Sequence, residues 1–456
     1  MGKSRGLFDT ASSEGLNESE QHLTAIGRRA FLKLWCHANL YTDKDPKSGK
    51  EFADLLLVFG NDVIIFSDKL SEYGSHPDPE VAWGRWCKVA LRKSLNQLKG
   101  AHRWVRSYPQ RIFLDASCTR KFPFQLPTGE HVKYHLVAIA SGIEKSMESS
   151  QSGDIVRLRT DTRLQEIHNK SNRLTVGLPV EDGLFFHIFD QQGLTSAIEF
   201  TSTAPDFIKY LLHRETFLKN FAPGVVVPNE EHLLTAYFIS QGARTGDFIP
   251  DLALILEPKV NARPFEGYSP ARLINNPTYQ KHRERMLESE RWERVISRLI
   301  DGTPPGVLKY AEDSEIRIEH ALRLLAAETR EGRVLIVDTW KSFAQRELAS
   351  DLYYVKRIQS LTHESTIYIL MTVPRTPGIL YEQYRENRTN EMHFRCLLAK
   401  KHSPDFTRFV AIAFEGKDYG NDDVDFDLVY FECNELAEHQ MEAARQFEES
   451  LKSRML

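Results

Sequence analysis

Asp54 and Lys69 are the residues of this chain whose types and spacing could do chemistry. Asp54 lies inside the apolar stretch 52–59, and Lys69 follows a second apolar stretch, 63–68. A carboxylate within an apolar strand needs a cationic partner, because burial of an unpaired charge is costly. Two interpretations follow: a structural ion pair with Lys69, or a metal site for phosphodiester hydrolysis. In the second, the carboxylate holds Mg²⁺ or Mn²⁺, the metal polarises the phosphate and the lysine stabilises charge.

The two apolar stretches predict a hairpin that brings Asp54 close to the neighbouring strand. Gly60-Asn61 is turn chemistry, since both residues tolerate positive φ. A two-residue loop places Asp54 opposite Ser67 and Lys69 on the same face, because side chains alternate along a strand. A three-residue loop would place Asp54 opposite Asp68 instead.

This pattern resembles the motif of the PD-(D/E)xK (restriction-endonuclease-like) nuclease superfamily. Asp54 is followed, after twelve residues, by Ser67-Asp68-Lys69. The family places an acidic strand residue before acid-x-Lys on the next strand. The resemblance implies that Asp54 holds the metal, that Lys69 assists the attacking water, and that Ser67 orients water or phosphate. Gln97, on the helix that follows, resembles the accessory glutamine of several branches and would position a backbone phosphate.

The elements predicted around the hairpin follow the same family's core order, α-β-β-β-α-β. They are a helix at 20–37, a strand at 38–41, the hairpin, a helix at 80–105 and a strand at 111–115. A further strand at 131–140 would extend the sheet. The resemblance covers residues 17–140, under a third of the chain.

The chain departs from the family pattern at position 67, where Ser67 stands in place of the second acid. Serine is a poor ligand for a divalent cation, so another residue supplies the charge or the site is degenerate. The candidates are Asp68, Glu51 and Glu80. A subset of restriction enzymes carries this acid on the following helix, and Glu80, near the start of helix 80–105, resembles them.

Helix 80–105 and the segment after it are strongly basic. Between positions 81 and 133, eleven Lys or Arg accompany two acidic residues, and tryptophans lie among them. Phosphate binding favours cations beside flat aromatic surfaces; the alternative is a solvated helix face with its tryptophans in the core. Since the whole chain has a net charge of −4, the excess indicates a directed surface. The residues predicted to bind nucleic acid are Arg92, Lys93, Lys99, Arg103 and Arg106.

Composition places the chain among globular proteins of a reducing compartment. Its 456 residues, 41% of them hydrophobic, predict two or three domains. The five cysteines lack CxxC spacing, which argues against structural zinc and disulfides. The N-terminus has no apolar signal core, and no apolar run nears the ~20 residues that span a bilayer. We therefore expect a cytoplasmic protein that does not bind a membrane.

The fold class predicted is α/β, with a restriction-endonuclease-like core at the N-terminus and a second mixed α/β domain. The predicted domains are a mobile stretch at 1–18, a nuclease-like domain with an extended sheet at 19–240, a helical or linker region at 241–310 and a C-terminal domain at 311–456. In the last, strands at 366–373, 409–414 and 426–432 alternate with helices at 380–402 and 435–455. Strand-helix-strand of this length implies a parallel crossover.

The sequence thus predicts a metal-dependent nuclease that hydrolyses nucleic-acid phosphodiesters, with DNA favoured over RNA. A role in bacterial defence or DNA processing follows by analogy of fold alone. One alternative is a catalytically inactive nuclease fold that binds nucleic acid through the basic helix, with Asp54 and Lys69 as a structural pair. Another is an assembly protein, and the C-terminal half is where a homo-oligomer contact or a protein partner would fit.

Overall fold

The structure is a computed structural model of the chain. It describes residues 15, 17–44, 49–73, 76–143, 156–168, 171–221, 224–239, 268–302, 314–344, 353–374, 378–414 and 426–454. The chain is mixed α/β and divides between His282 and Arg283 into two compact units, here called the N-terminal unit and the C-terminal unit. Most of the predicted stretch 1–18 and much of the predicted linker 241–310 lie outside the described residues.

The described part of the N-terminal unit contains one large mixed sheet and one small sheet. Its strands are β1 (Cys36–Thr42), β2 (Lys50–Phe59), β3 (Asp62–Leu70), β4 (Lys133–Ser141), β5 (Arg159–Asp161), β6 (Thr175–Val176), β7 (Val180–Glu181), β8 (Leu184–Asp190) and β9 (Val226–Val227). The large sheet has the order β1-β2-β3-β4-β8-β7, and the small one the order β6-β5-β9. Strand β4 runs parallel to β3 and to β8, whereas β1, β2 and β3 are antiparallel.

Helices cover both faces of the large sheet. They are α1 (Glu18–Phe31), α2 (Pro79–Trp86), α3 (Lys93–Ser107), α4 (Gln191–Thr201), α5 (Ala204–Asn220), α6 (Glu230–Ile239) and α7 (Pro270–Ile274). A π-helical segment, Cys87–Arg92, joins α2 to α3. The buried Trp83 and Trp86 of α2 pack with α3 and one face of β2 and β3, as expected for core tryptophans. On the other face, Phe66 of β3 stacks on Phe207 of α5.

The hairpin register predicted from the two-residue loop is confirmed. Phe59 pairs with Asp62, and the ladder continues to Leu55 and Phe66. Gly60 has a φ of +62°, the conformation that a two-residue turn with glycine at its first central position requires. The strands are longer than expected, since β3 continues through Lys69.

Two predicted elements of this unit are wrong. The strand expected at 111–115 makes isolated bridges only, between Phe113 and the positions Tyr41 and Lys121. The reason is local: the Asp115 carboxylate accepts the backbone N–H groups of Thr119 and Arg120, which turns the chain back. The strand after the helices is instead β4, so the order α-β-β-β-α-β is completed by the segment predicted at 131–140.

The helix expected at 20–37 also ends early. It begins after Asn17, whose side chain accepts the N–H of Glu20 as an N-cap, and it ends at Phe31. Leu32 has a φ of +64°, which a helix cannot continue. The following apolar residues are buried, and His37 lies in β1 instead of on a helix.

The C-terminal unit contains a four-stranded sheet of order β10-β11-β12-β13 among its described residues. Its strands are β10 (Tyr354–Gln359), β11 (Thr366–Thr372), β12 (Arg408–Phe414) and β13 (Phe426–Glu432). Its helices are α8 (Pro277–Gly302), which crosses the boundary, α9 (Ser314–Ala326), α10 (Arg330–Ala344), α11 (Tyr381–His402) and α12 (Glu438–Arg454). The predicted parallel crossover is confirmed, because β11 and β12 are parallel and α11 connects them. Strand β10 was not expected.

Candidate active site between strand β2 and helix α3

Asp54 is buried where strands β2 and β3 part. The residue is 1% exposed, and the β2–β3 ladder that starts at the turn ends with the pair Leu55–Phe66, one residue short of Asp54. The carboxylate accepts the backbone N–H of Asp68 at 2.5 Å and the Lys69 ammonium at 3.2 Å. A side chain therefore occupies the position of the next ladder bond, and the charge that it buries is paired.

Gln97 and Ser67 orient this carboxylate. Gln97 donates from Nε2 to Asp54 Oδ1 at 3.3 Å, and its Oε1 accepts the Ser67 hydroxyl at 3.0 Å. Ser94, one turn before Gln97 on α3, donates its hydroxyl to the Ser67 carbonyl oxygen. The structure thus brings together four predicted residues, Asp54, Ser67, Lys69 and Gln97. It places Ser67 and Gln97 behind the carboxylate as a hydrogen-bonded chain.

Glu51 reaches Asp54 because strand β2 carries a β-bulge. Leu40 of β1 pairs with Ala53, but the next residue, Tyr41, pairs with Glu51, so Phe52 is an extra residue in β2. An inserted residue breaks the alternation of side chains. Glu51 and Asp54 are three positions apart and would otherwise point to opposite faces; here the Glu51 carboxyl group lies close enough to Asp54 to interact with it.

The contact between these two carboxyl groups has an electrostatic consequence. The hydrogen bond to Asp54, followed by partial burial and the Asp54 charge, raises the pKa of Glu51 to about 8. Ionising Glu51 next to the Asp54 charge is unfavourable, so at neutral pH the Glu51 carboxyl group keeps its proton. Such a pair is suited to exchange its proton for a cation.

Strand β1 is strained opposite this pair. Asn39 lies between the paired residues Ala38 and Leu40, across from Asp54, and its φ is +51°. Asparagine tolerates this left-handed conformation better than most residues do, yet it is unusual within a strand. Local strain of this kind concentrates at functional sites.

The other two candidates for the second acid lie elsewhere. Asp68 hydrogen-bonds with its carboxylate to the hydroxyls of Ser19 and Ser141. Because side chains alternate, it points away from Lys69, and burial raises its pKa to about 6. Glu80 is exposed in the first turn of α2 and does not line the cleft described next.

A cleft of about 560 Å³ opens beside Glu51 and Lys69. Its charged lining is mostly cationic, with Lys44, Lys50, Lys69 and Lys93 against Glu51. The protonated state of Glu51 at neutral pH leaves this lining still more positive. The cleft therefore suits an anionic group such as a phosphate.

The five cations predicted to bind nucleic acid divide into three groups. Lys93 lines the cleft. Arg92 and Lys99 are neutralised by the β7–β8 hairpin, because Arg92 pairs with Glu181 at 2.6 Å and Lys99 pairs with both Glu181 and Asp182. Arg103 and Arg106 are exposed and form no ion pair within the described residues. The acidic hairpin lies far along the chain from α3, and nothing near α3 in the sequence signals it.

The donor set fits a hard divalent cation. In the described part of the chain, no group of three or more His, Cys, Asp or Glu side chains is placed to hold a metal ion. Glu51 and Asp54 offer two carboxylates, however, and Mg²⁺ is commonly held by one or two carboxylates together with waters and substrate phosphates. A cation bound between them would relieve the repulsion that raises the pKa of Glu51.

Comparison with protein-family models, with curated proteins and with solved structures gives no match for this chain. No helix among the described residues is long and apolar enough to cross a membrane. The geometry of the cleft is therefore the basis on which a function can be inferred.

Proposed function

We propose that this protein is a phosphodiesterase that uses Mg²⁺ or Mn²⁺ to hydrolyse nucleic acid at the Glu51–Asp54 pair. The observation that carries the proposal is the Lys69 ammonium 3.2 Å from the buried Asp54 carboxylate, with Glu51 beside Asp54 and a cationic cleft next to them. Acid, acid and lysine on adjacent strands are what metal-assisted phosphate chemistry needs.

Each residue has a role that follows from its position. Glu51 and Asp54 would hold the cation, which polarises the phosphate and activates water when bound. Lys69 brings a positive charge to the side of the pair where charge builds up on the phosphate in the transition state. Gln97 fixes the orientation of Asp54, and Ser67 fixes Gln97. Lys93 and the other cleft lysines attract the phosphate backbone.

The order α1-β1-β2-β3-α2/α3-β4 supports a relationship with the PD-(D/E)xK nucleases, with Glu51 supplying the acid that Ser67 lacks. In this arrangement the second acid precedes Asp54 on the same strand. DNA remains favoured over RNA as the substrate, and a role in bacterial defence or DNA processing remains an analogy.

A cleavage assay tests the proposal. Purified protein should cut at least one substrate among plasmid, linear duplex, single-stranded DNA and RNA when Mg²⁺ or Mn²⁺ is present, and EDTA should stop it. Asp54→Asn and Lys69→Met should each lower the rate about 100-fold or more, the size of effect seen when a transition-state contact is lost. Glu80→Gln is the matched control, because Glu80 is exposed and does not line the cleft.

Two outcomes would overturn the proposal. If Asp54→Asn and Lys69→Met cut as fast as the wild type, the chemistry lies elsewhere. If the wild type binds nucleic acid but neither binds Mg²⁺ nor cuts any substrate, the inactive binding module is the correct interpretation, with Asp54 and Lys69 as a structural pair.

A further inference from the structure

One face of helix α3 lines the cleft, and its side chains change from polar to aromatic along the helix. Going along the helix, that face carries Lys93, then Asn96 and Gln97, then Gly100 and Ala101, and finally Trp104. The spacing of three and four residues places them in one stripe. Its polar end lies beside the Glu51–Asp54 pair, its far end is an indole ring, and the two smallest residues lie between them.

Gly100 leaves space that packing does not require. A Cβ atom added at Gly100 would meet no atom within 4 Å, and the backbone there is ordinary helix. Glycine inside a helix is less stable than alanine, so neither close packing nor backbone geometry explains its presence. The glycine instead enlarges the cleft between the polar end and Trp104.

Trp104 is a fixed wall of this hollow. Its Nε1 donates to the Arg111 carbonyl oxygen at 3.1 Å, and the Arg111 guanidinium lies 5.2 Å from the ring centroid. The ring also packs partly against the core. A flat aromatic surface held in this way can stack on a base with little loss of conformational freedom.

The cleft has the size of a site for one small unit. Its volume of about 560 Å³ falls within the ~300–1,000 Å³ of clefts that hold a single small ligand. One nucleotide fits such a space once its base has left the stack, whereas a base-paired step does not. The cleft lysines supply the positive charge that a phosphate needs.

We propose that the cleft binds one unpaired nucleotide of a single-stranded polynucleotide. The base occupies the hollow at Gly100 against Trp104, and the phosphate lies over Lys69 and Lys93. Gly100 is thus a specificity-determining residue, and single strands are the substrate class. This inference deepens the proposed function and rests on it, because the phosphate is placed at the same carboxylate pair.

A binding measurement with a filled hollow tests this without relying on cleavage. Fluorescence anisotropy is recorded in EDTA at about pH 7, with a labelled DNA single strand, the same strand as a blunt duplex, and RNA of the same sequence. The variants are Gly100→Leu and, as a matched control, Gly84→Leu. Gly84 is a helical glycine of α2 that also has open space around it, away from the cleft lining.

The wild type should bind at least one of the two single strands about tenfold more tightly than the duplex, since one stacked base is worth that much or more. Gly100→Leu should remove this advantage, and Gly84→Leu should keep it, with both variants as thermally stable as the wild type. The comparison of DNA with RNA identifies which strand the cleft takes.

The inference is overturned if the duplex binds as tightly as the single strands, if no single strand binds, or if Gly100→Leu binds like the wild type. These results differ from failure of the proposed function. A protein that binds single strands through Gly100 but does not cut them with Mg²⁺ keeps the binding site and loses the phosphodiesterase. A protein that cuts duplex through Asp54 keeps the phosphodiesterase and loses the single-strand preference.

Discussion

The proposed metal site depends most on Glu51, because its contact with Asp54 raises the pKa of Glu51 to about 8. A cation that binds between the two carboxylates must displace the proton that Glu51 holds. At about pH 7 the binding of Mg²⁺ should therefore release about one proton per ion. Calorimetry in two buffers of different ionisation enthalpy measures this number.

The same titration distinguishes Glu51 from Glu80 as the second acid of the metal site. Glu51→Gln should bind the ion more weakly and release no proton, whereas Glu80→Gln should behave like the wild type. If the wild type releases no proton, or if Glu51→Gln releases as many protons as the wild type does, the pair is not the metal site.

Glu51 also makes the stability of the metal-free protein depend on pH. Since its pKa is raised in the folded state, from 4.5 to about 8, its protonated form stabilises the fold. This contribution is fully present below about pH 4.5 and is lost as the pH rises through about 8. Urea unfolding in EDTA should show the wild type losing stability relative to Glu51→Gln between about pH 5 and 8. A constant difference across this range would contradict the raised pKa of Glu51.

For single residues, the sequence showed which charged side chains must pair, but it did not show where a strand becomes irregular. Asp54 and Lys69 could be found because a carboxylate inside an apolar strand needs a cation, and the two-residue turn fixed their register. Glu51 could be named but not chosen, because period-two alternation assigns it to the opposite face. Only the extra residue Phe52 brings it to Asp54, and no local residue type announces that bulge.

Helix α3 has two charged faces with different partners. Lys93 points into the cleft, and Arg92, one residue earlier, is held by Glu181. Lys93→Gln should weaken binding of single-stranded nucleic acid and lower its dependence on salt by about 0.7 in log–log slope. Arg92→Gln should change neither, because Arg92 is already neutralised. Anisotropy titrations over a range of salt concentrations measure the affinity and its salt dependence. Equal effects of the two variants would show that Arg92 and Lys93 both bind the nucleic acid.

The success of element prediction follows the strength of local signals. The β2–β3 hairpin was placed correctly because its apolar stretches and its turn residues agree. The strand at 111–115 was wrong because a single carboxylate, Asp115, turns the chain after a short apolar run. The helix at 20–37 was too long because its apolar periodicity runs on into β1.

The whole molecule consists of two units with separate cores, and only one contains the candidate site. The C-terminal unit buries an aspartate of its own, Asp427, which accepts hydrogen bonds from Arg385 and Arg388. Arg388 is fully buried. The charge of Arg388 is satisfied by Asp427, a residue on β13.

Removal of that aspartate should destabilise the C-terminal unit. Asp427→Asn leaves two guanidinium groups with no anion, and breaking a buried ion pair costs about 3 kcal/mol or more. Urea unfolding followed by circular dichroism should show a transition at lower urea concentration. Binding of Mg²⁺ at the cleft should remain as in the wild type; loss of both would show that the two units depend on each other.

In the C-terminal unit, the sequence predicted the crossover connection but not the edge strand β10. Its parallel crossover followed from a strand, a long helix and a strand in succession. Strand β10 was missed because it is half exposed and carries Lys356 and Arg357, which do not look like a buried strand. No residue pattern in this unit indicated a catalytic or binding site. The structure shows a core in which the buried charges of Asp427 and Arg388 are paired.

The most direct measurement of the central claim is the rate of Mg²⁺-dependent cleavage by Glu51→Gln and Glu80→Gln, compared with the wild type on the best substrate. The bulge places Glu51 beside Asp54 and leaves Glu80 exposed on α2. We predict that Glu51→Gln lowers the rate about 100-fold or more, as expected for loss of a group that holds the metal. Glu80→Gln should cut at the wild-type rate. If Glu80→Gln is inactive while Glu51→Gln cuts normally, the second acid lies on the helix and the site described here is wrong.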